Sequence, residues 1–251
     1  MSHEHEGVRL SPKASFALGM LGGVLVLCSI GFFVLIGLIM NGNVALGDTA
    51  AAAEEVDGAD VAAQPAVEPE DDGTTVGDIT PIGGNDHVVG PEDAPVTLIV
   101  YTDFECPYCG SFHPSLEQAL EYFDGQVRAT IRNFPLSFHA NARPAANAAE
   151  CAGEQGEYFE YVSELFANQA DLGNDLYEEI AADLGLKMSQ FRDCVENSKY
   201  DSKITADQNG GLAAGIQGTP GTLIIPTNGE PQLVPGAVPF EQFKAMIEAV
   251  L

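Results

Sequence analysis

The sequence predicts one α/β domain with a helical insert, preceded by one transmembrane helix and a disordered acidic linker. Three observations support this prediction: an uncharged apolar run near the N-terminus, an acidic stretch after it, and alternating strand and helix patterns from residue 88 onward. The predicted divisions are a cytoplasmic tail at 1–13, the membrane helix at 14–40, the linker at 41–87 and the domain at 88–251.

The apolar run from Ala14 to Met40 contains 27 residues without a charge, and a helix of about 20 such residues spans a bilayer. Arg9 and Lys13 precede the run, whereas the first ionisable group after it is Asp48. This asymmetry predicts a single-pass protein of the cytoplasmic membrane, with its N-terminus inside and its domain on the extracytoplasmic side. A cleaved signal peptide is the alternative, although signal cores have only about 7–15 apolar residues.

The linker is defined by its composition. Residues 41–95 carry thirteen Asp and Glu and no Lys or Arg, and segments of low hydrophobicity and unbalanced charge cannot offset the entropy of the chain. We therefore expect residues 41–87 to form a disordered tether. The formal net charge of -27 also excludes nucleic acid as an expected partner, because binding nucleic acid requires clustered Lys and Arg.

The folded domain begins with a strand–helix–strand pattern. Residues 96–101 are apolar and β-branched, residues 111–123 have apolar positions at helical spacing, and residues 127–134 alternate like a half-buried strand. Helical patterns follow across an insert at about 140–215. The remaining predicted elements are two strands at 221–225 and 232–234 and a last helix at 240–250.

The candidate chemistry lies in Cys106-Pro107-Tyr108-Cys109, directly after the first strand and at the start of the helix. Pro107 suits the first helical position, where an N–H would have no intrahelical partner. Cys106 is then the N-cap, where unpaired amides and the helix dipole favour the thiolate that attacks disulfides. Cys109, one turn inside the helix, is expected to be more buried and to resolve the mixed disulfide. This chemistry requires no metal and no cofactor.

Other roles for these cysteines remain open. A purely structural bridge between Cys106 and Cys109 would add roughly 2 kcal/mol, and a zinc site with these two residues and His113 lacks an evident fourth ligand. Cys151 and Cys194 lie 43 positions apart on separate predicted helices. They are the natural complement of the local pair, and their bridge would contribute roughly 4 kcal/mol. Free buried thiols are the alternative for both.

Two segments of the domain resemble a known family. Residues 101–109 resemble the active-site segment of DsbA-like proteins of the thioredoxin superfamily, and Gly218-Thr219-Pro220 resembles that superfamily's cis-proline loop. Residues 134–139 and 148–152 also resemble membrane-anchored bacterial members. The resemblance covers about residues 88–251 and implies a thioredoxin-like fold.

The resemblance implies that Pro220 follows a cis peptide bond and lies against the Cys106 sulfur. The cis bend would leave backbone groups of Thr219 free to pair with an extended substrate chain; a trans proline at a strand edge is the alternative. Relatives often carry an acidic residue six positions before the first cysteine, where this chain has Val100.

Asp103 and Glu105 are the candidates for proton transfer in place of that acid, although both could be solvated loop carboxylates. His139 recurs in similar proteins. We expect it to lie at a helix start or on the surface rather than to act in catalysis.

By resemblance, the chain is expected to be a monomeric protein-disulfide oxidase that acts on exported proteins with reduced cysteines. Cys106 would take the mixed disulfide, Cys109 would resolve it, and a membrane partner of the DsbB or VKOR type would reoxidise the pair. A reductase or isomerase on the same fold is the nearest alternative and is compatible with Thr219. From other classes, the domain could be a tethered binding or chaperone module with incidental cysteines, or a glutathione-dependent transferase or peroxidase.

Overall fold

A computed structural model describes residues 75–251 of the chain. The predicted tail, the predicted membrane helix at 14–40 and the predicted linker up to residue 74 lie outside the described residues. Within residues 75–251, no helix combines the length and the apolar character that crossing a membrane requires.

A mixed sheet forms the centre of the domain. Its strands are β1 (Val88–Val89), β2 (Val96–Thr102), β3 (Val127–Asn133), β4 (Gly221–Pro226) and β5 (Gln232–Pro235). They are arranged in the order β1-β3-β2-β4-β5, and β2 runs parallel to β3 and antiparallel to β4. The β-branched and aromatic residues of β2 suit this central position, because a central strand is buried on both faces.

Helices cover the sheet, and their bounds lie within a few residues of the predicted ones. They are α1 (Pro107–Tyr122), α2 (Ala142–Gly153), α3 (Tyr158–Ala167), α4 (Asn174–Asp183), α5 (Met188–Glu196), α6 (Asp201–Ala213) and α7 (Phe240–Glu248), with a 3₁₀ turn at Gln169–Asp171. Helices α2 to α6 lie between β3 and β4 in sequence. They confirm the predicted helical insert.

The two faces of β2 contribute to two separate parts of the core. Leu98 and Val100 pack with α1 and α7 in the larger cluster, where the rings of Phe112 and Phe243 lie 5.1 Å apart. Ile99 and Tyr101 point to the opposite face and pack in the smaller cluster. This alternation follows from the two-residue period of a strand. Because β2 is packed on both faces, its C-terminal end is held in place, and α1 begins a few residues after that end.

Residues 75–87, here called the N-terminal arm, correct the predicted extent of the linker. The arm lies against the domain, with the backbone N–H groups of Gly77 and Asp78 donating to the carbonyl oxygens of Ala214 and Ala213 at 3.1 and 2.8 Å. The last carbonyl groups of a helix have no hydrogen-bond partner within the helix, so the arm provides donors for the free carbonyl groups at the end of α6. Composition misses these contacts because they use backbone groups.

Arg132 on β3 is the second anchor of the arm. It is buried, and its guanidinium donates to both carboxylate oxygens of Asp86 at 2.9 and 3.0 Å and to the carbonyl oxygens of Thr80 and Pro81 at 2.8 and 2.9 Å. A buried guanidinium requires acceptors for its donors, and the arm provides four of them.

Asp86→Ala is expected to lower the free energy of unfolding by about 3 kcal/mol, because it leaves a buried cation without its carboxylate. Denaturant unfolding of the full chain measures the change. Glu178→Ala is the matched control, since the side chains of the Glu178–Arg192 pair are 48% and 52% exposed and solvent-exposed pairs contribute little to stability. Equal losses in the two variants would contradict the anchoring role of the arm.

Candidate active site

The cysteine pair lies where the sequence predicts it. β2 ends at Thr102, a short turn follows, and Cys106 is the N-cap of α1 with φ -75° and ψ 119°. Pro107 occupies the start of the helix and is exposed, and the Tyr108 side chain next to it is 67% exposed. The Cys106 side chain makes no capping hydrogen bond, but the free backbone N–H groups of Tyr108 and Cys109 in the first helical turn are close enough to favour its thiolate.

The cis-proline loop lies against the pair. The Thr219–Pro220 peptide bond is cis, and the Cys106 sulfur lies 3.4 Å from the carbonyl oxygen of Thr219, which accepts a hydrogen bond from it only when the thiol is protonated. Both cysteines are free thiols, with 4% of Cys106 and 2% of Cys109 exposed. The structure thus confirms the cis bond and the contact between the loop and the first cysteine, which the resemblance implied.

The pKa values of the two thiols are shifted in opposite directions. The hydrogen bond that Cys109 donates to the Cys106 sulfur outweighs desolvation and, with backbone N–H groups of the first helical turn, lowers the pKa of Cys106 from 9.0 to about 5. Burial raises the pKa of Cys109 far above its ordinary value, and the bond it donates to Cys106 raises that pKa further. At neutral pH the first sulfur is therefore an anion and the second a thiol.

Asp103 is a buried anchor of the turn before Cys106. Its side chain is 0% exposed, and its two carboxylate oxygens accept from the N–H groups of Glu105 and Leu136 and from Nδ1 of His139, each at 2.8 Å. Its own backbone N–H lies 3.5 Å from the Cys109 sulfur. These contacts give Asp103 a structural function, and its role in proton transfer stays a prediction.

Glu105 ties the same turn to the start of α2. Its carboxylate accepts from the backbone N–H of Asn141, the residue that precedes the helix. Together, Asp103 and Glu105 hold the loop at 134–141 beside the pair. The predicted proton-transfer candidates are thus both engaged in hydrogen bonds, and His139 lies just before a helix, as expected, with the buried Asp103 as its partner.

Gln169 is a site residue that the sequence did not indicate. Its Nε2 group donates to the carbonyl oxygens of Phe104 and Cys106, both at 2.8 Å. Gln169 lies in the 3₁₀ turn of the insert, 63 positions after Cys106. A lone glutamine outside any periodic pattern gives no sequence signal for a contact of this kind.

His113 does not combine with the cysteine pair into a metal site. Its Nε2 lies 3.0 Å from the Ser163 hydroxyl and 3.4 Å from Glu117, and burial lowers its pKa below 6.5. Within the part of the chain that the structure describes, no group of three or more His, Cys, Asp or Glu side chains is placed to hold a metal ion.

The second pair of cysteines in the domain forms a disulfide within the insert. Cys151 on α2 and Cys194 on α5 are joined, with Cα atoms 5.8 Å apart. The predicted bridge is therefore confirmed, and free thiols at these positions are excluded. It closes a long loop across 43 positions, which corresponds to about 4 kcal/mol of stabilisation in the chain-entropy model.

The surface around Cys106 differs in charge from the rest of the domain. Residues 75–251 contain 26 Asp and Glu against eight Lys and Arg. In contrast, residues 106–116, 134–142 and 215–229 contain no such charge, and the carboxylate of Glu105, which directly precedes Cys106, is bonded to the backbone N–H of Asn141. Phe138, in the loop held by Asp103, is 75% exposed. An uncharged surface with exposed aromatic side chains is suited to apolar segments of a partner.

Comparison with known proteins gives a family match and a fold match. The thioredoxin family model Thioredoxin_4 matches residues 83–249. Among solved structures, Wolbachia pipientis α-DsbA1 is 24% identical with a TM-score of 0.60, covering 68% of this chain and 92% of that one. Oxidised BdbD from Bacillus subtilis is 22% identical with a TM-score of 0.60, covering 69% of this chain and 97% of that one.

A curated relative adds a match of a different kind. The Na(+)/H(+) antiporter NhaA 1 of Salinispora arenicola (strain CNS-205) is 38% identical over 136 residues, which are 54% of this chain and 21% of the antiporter. The aligned part of this chain therefore spans about a fifth of that relative's length.

Proposed function

The chain belongs to the thioredoxin family and has the DsbA-like fold, and on that premise we propose that it is a protein-disulfide oxidase. The observation that supports this direction of reaction is the opposite acidity of the two thiols. An oxidase must release Cys106 as a leaving group, and a thiol with a pKa of about 5 leaves readily as thiolate. The same stabilised thiolate favours the reduced pair, which makes the oxidised pair a strong oxidant.

The reaction proceeds through two thiol–disulfide exchanges. A client thiolate attacks the Cys106 sulfur of the oxidised pair, so that a client–Cys106 disulfide forms and the bond to Cys109 breaks. Cys109, whose pKa is raised by burial, takes up a proton. A second client thiolate then attacks the client sulfur of the mixed disulfide and releases the Cys106 thiolate. The client loses two electrons, and the cysteine pair gains them.

The substrates that we propose are extended segments of exported proteins with reduced cysteines. The exposed side chains of Tyr108 and Phe138 and the uncharged segments at 106–116, 134–142 and 215–229 favour apolar segments of a client. Next to Pro220, backbone groups of Thr219 are suited to pairing with an extended chain. Recognition through backbone groups would tolerate many client sequences.

The proposed location of the protein and the proposed reoxidation of its cysteine pair rest on the sequence. The apolar run at 14–40 would anchor a monomer in the cytoplasmic membrane with its domain on the extracytoplasmic side. A membrane partner of the DsbB or VKOR type would then accept the two electrons and restore the disulfide between Cys106 and Cys109. The antiport activity named for the curated relative is not part of the proposal, because the alignment covers 21% of that protein.

A reductase or isomerase is the alternative on the same fold. In that direction Cys106 attacks a client disulfide and Cys109 must become a thiolate to resolve the product. The strongly raised pKa of Cys109 disfavours that second step, which is why we prefer the oxidase. A binding or chaperone module without redox turnover is the alternative of another class.

The reduction potential of the Cys106/Cys109 pair in the full-length chain separates these directions. We expect equilibration with glutathione to give a value closer to the roughly -120 mV of DsbA than to the roughly -270 mV of thioredoxin. Mass spectrometry of the peptide that contains both residues measures their oxidised fraction without interference from Cys151 and Cys194. A potential as negative as that of thioredoxin would exclude the oxidase and favour the reductase.

A further inference from the structure

Gln169 connects the helical insert to the turn that carries the reactive sulfur. Its Nε2 group is 2.8 Å from the carbonyl oxygen of Phe104 and 2.8 Å from that of Cys106. The 3₁₀ turn that contains Gln169 follows α3, and Phe166 near the end of α3 packs against Phe104 with ring centroids 5.2 Å apart. An amide and an aromatic ring of the insert therefore both contact this turn.

The two hydrogen bonds constrain the backbone on both sides of the reactive residue. One bond orients the peptide plane between Phe104 and Glu105, and the other orients the plane between Cys106 and Pro107. With both planes held, the backbone rotations at residues 105 and 106 are restricted. The direction of the Cys106 side chain from the helix start, toward Thr219 and Cys109, is then restricted as well.

Gly110 supplies an independent observation about the same contact. A Cβ atom added at this position would lie 2.8 Å from Oε1 of Gln169, which is closer than real Cβ contacts. Glycine is less favourable than alanine inside a helix, and Gly110 lies within α1. The missing side chain at Gly110 leaves the space that the Gln169 amide occupies.

We propose that Gln169 is a positioning residue for the redox pair, which acts by holding the turn at Phe104–Cys106 so that the Cys106 sulfur meets its hydrogen-bond donors. This inference rests on the proposed function and extends the site from the four-residue motif to a residue of the insert. Gln169 itself does not contact the sulfur and takes no part in electron transfer.

Gln169→Ala is expected to raise the pKa of Cys106 by about one unit, because a looser turn weakens the alignment of the sulfur with Cys109 and the helix amides. One unit corresponds to about a tenfold change in equilibrium, so the glutathione equilibrium of the pair should shift about tenfold toward the oxidised form. The pH dependence of Cys106 alkylation in the full-length chain, followed by mass spectrometry of its peptide, measures the pKa directly.

Gly110→Ala provides a second way to displace the same amide. It should raise the pKa of Cys106 in the same direction although alanine favours the helix. The double variant Gly110→Ala/Gln169→Ala should raise the pKa of Cys106 no more than the stronger single variant does, because the same contact is lost in all three variants. If the two pKa shifts add fully in the double variant, the proposal is wrong.

Gln118→Ala is the matched control. Gln118 on α1 makes the same kind of bond as Gln169, from its Nε2 to the carbonyl oxygen of Pro114 at 3.0 Å, but this bond lies away from the turn at Phe104–Cys106. The control should leave the pKa of Cys106 unchanged. If Gln169→Ala lowers the melting temperature but leaves this pKa and the glutathione equilibrium unchanged, Gln169 is only structural and the inference is wrong.

The unaltered chain separates this result from a failure of the proposed function. If the unaltered chain exchanges disulfides and has a low pKa at Cys106, and Gln169→Ala has the same activity and the same pKa, only the positioning role is wrong. If it fails to oxidise a reduced client while Gln169→Ala still raises the pKa of Cys106, the oxidase proposal is wrong and the positioning role stands.

Discussion

Cys106→Ser is expected to reduce disulfide exchange with a reduced, unfolded client by at least about 100-fold. In the proposed direction a client thiolate attacks the Cys106–Cys109 disulfide, and the Cys106 sulfur, with a pKa of about 5, later leaves as an almost fully ionised thiolate at pH 7. Cys106→Ser cannot form this disulfide, and the remaining Cys109 cannot substitute, because burial raises its pKa and keeps it protonated. The rate at which client thiols disappear after each chain has been treated with an oxidant measures the loss.

Cys109→Ser should behave differently, which makes it the informative comparison. It retains the Cys106 anion but lacks the thiol that resolves mixed disulfides. Offered a client that contains a disulfide, this variant should accumulate a covalent adduct, visible on a non-reducing gel, whereas Cys106→Ser should form none. In Cys109→Ala, which has no donor at this position, loss of the Cys109 hydrogen bond should also raise the pKa of Cys106, because that bond is the largest cause of its depression.

Cys106→Ala tests the alternative of another class. A tethered binding or chaperone module would retain its full cellular function in Cys106→Ala, and its client binding would be insensitive to the oxidation state of the pair. Loss of cellular function in Cys106→Ala, with unchanged thermal stability of the domain, would exclude that alternative.

Much of the site could be predicted because its chemistry is encoded locally. The strand, the proline at the helix start and the two cysteines lie within 102–109, so their geometry follows from N-cap rules. The Cys151–Cys194 bridge follows from pairing the two remaining cysteines of the domain. The cis bond at Pro220 came from the resemblance, since cis is rare for any single X-Pro bond.

The parts that were not predicted depend on contacts between distant side chains and the backbone. The N-terminal arm looks like linker by composition, yet Arg132 and the end of α6 bind it through backbone carbonyls, backbone N–H groups and Asp86. Asp103 and Glu105 were named as candidates for proton transfer, which stays a prediction, and their bonds to the loop at 134–141 were not foreseen. Gln169 reaches the turn from the insert. No periodicity or motif marks such contacts.

The stability of the reduced and oxidised chains is expected to depend differently on pH. Only the reduced chain has a titrating Cys106. Its pKa is lowered on folding from 9.0 to about 5, so the folded thiolate adds stability that is fully present above pH 9 and is lost as the pH falls toward 5. The Cys109 thiol contributes nothing well below pH 9, where it is protonated in both the folded and the unfolded chain, and it destabilises the reduced chain as the pH rises through 9, because its folded pKa is raised.

The sizes of the thiolate and disulfide contributions predict that the more stable form of the chain, reduced or oxidised, changes with pH. Four pKa units correspond to at most about 5 kcal/mol, of which at most about 3 kcal/mol is present at pH 7, and solvent near the sulfur screens part of this energy. The oxidised chain instead gains about 2 kcal/mol from closing a four-residue loop. Below pH 5 the oxidised chain should therefore be the more stable form, and toward pH 9 the reduced chain should be.

Thermal unfolding of both forms, followed by tyrosine signals since the chain has no Trp, measures the difference at each pH under anaerobic conditions. Cys106→Ser is the control, because its reduced form lacks the titrating thiol and should show no such dependence. A difference between reduced and oxidised chains that stays constant from pH 5 to pH 9 would mean that Cys106 is not held as an anion. The proposed oxidase would then lose its driving force, because the same stabilised thiolate is what makes the disulfide of this pair easy to transfer.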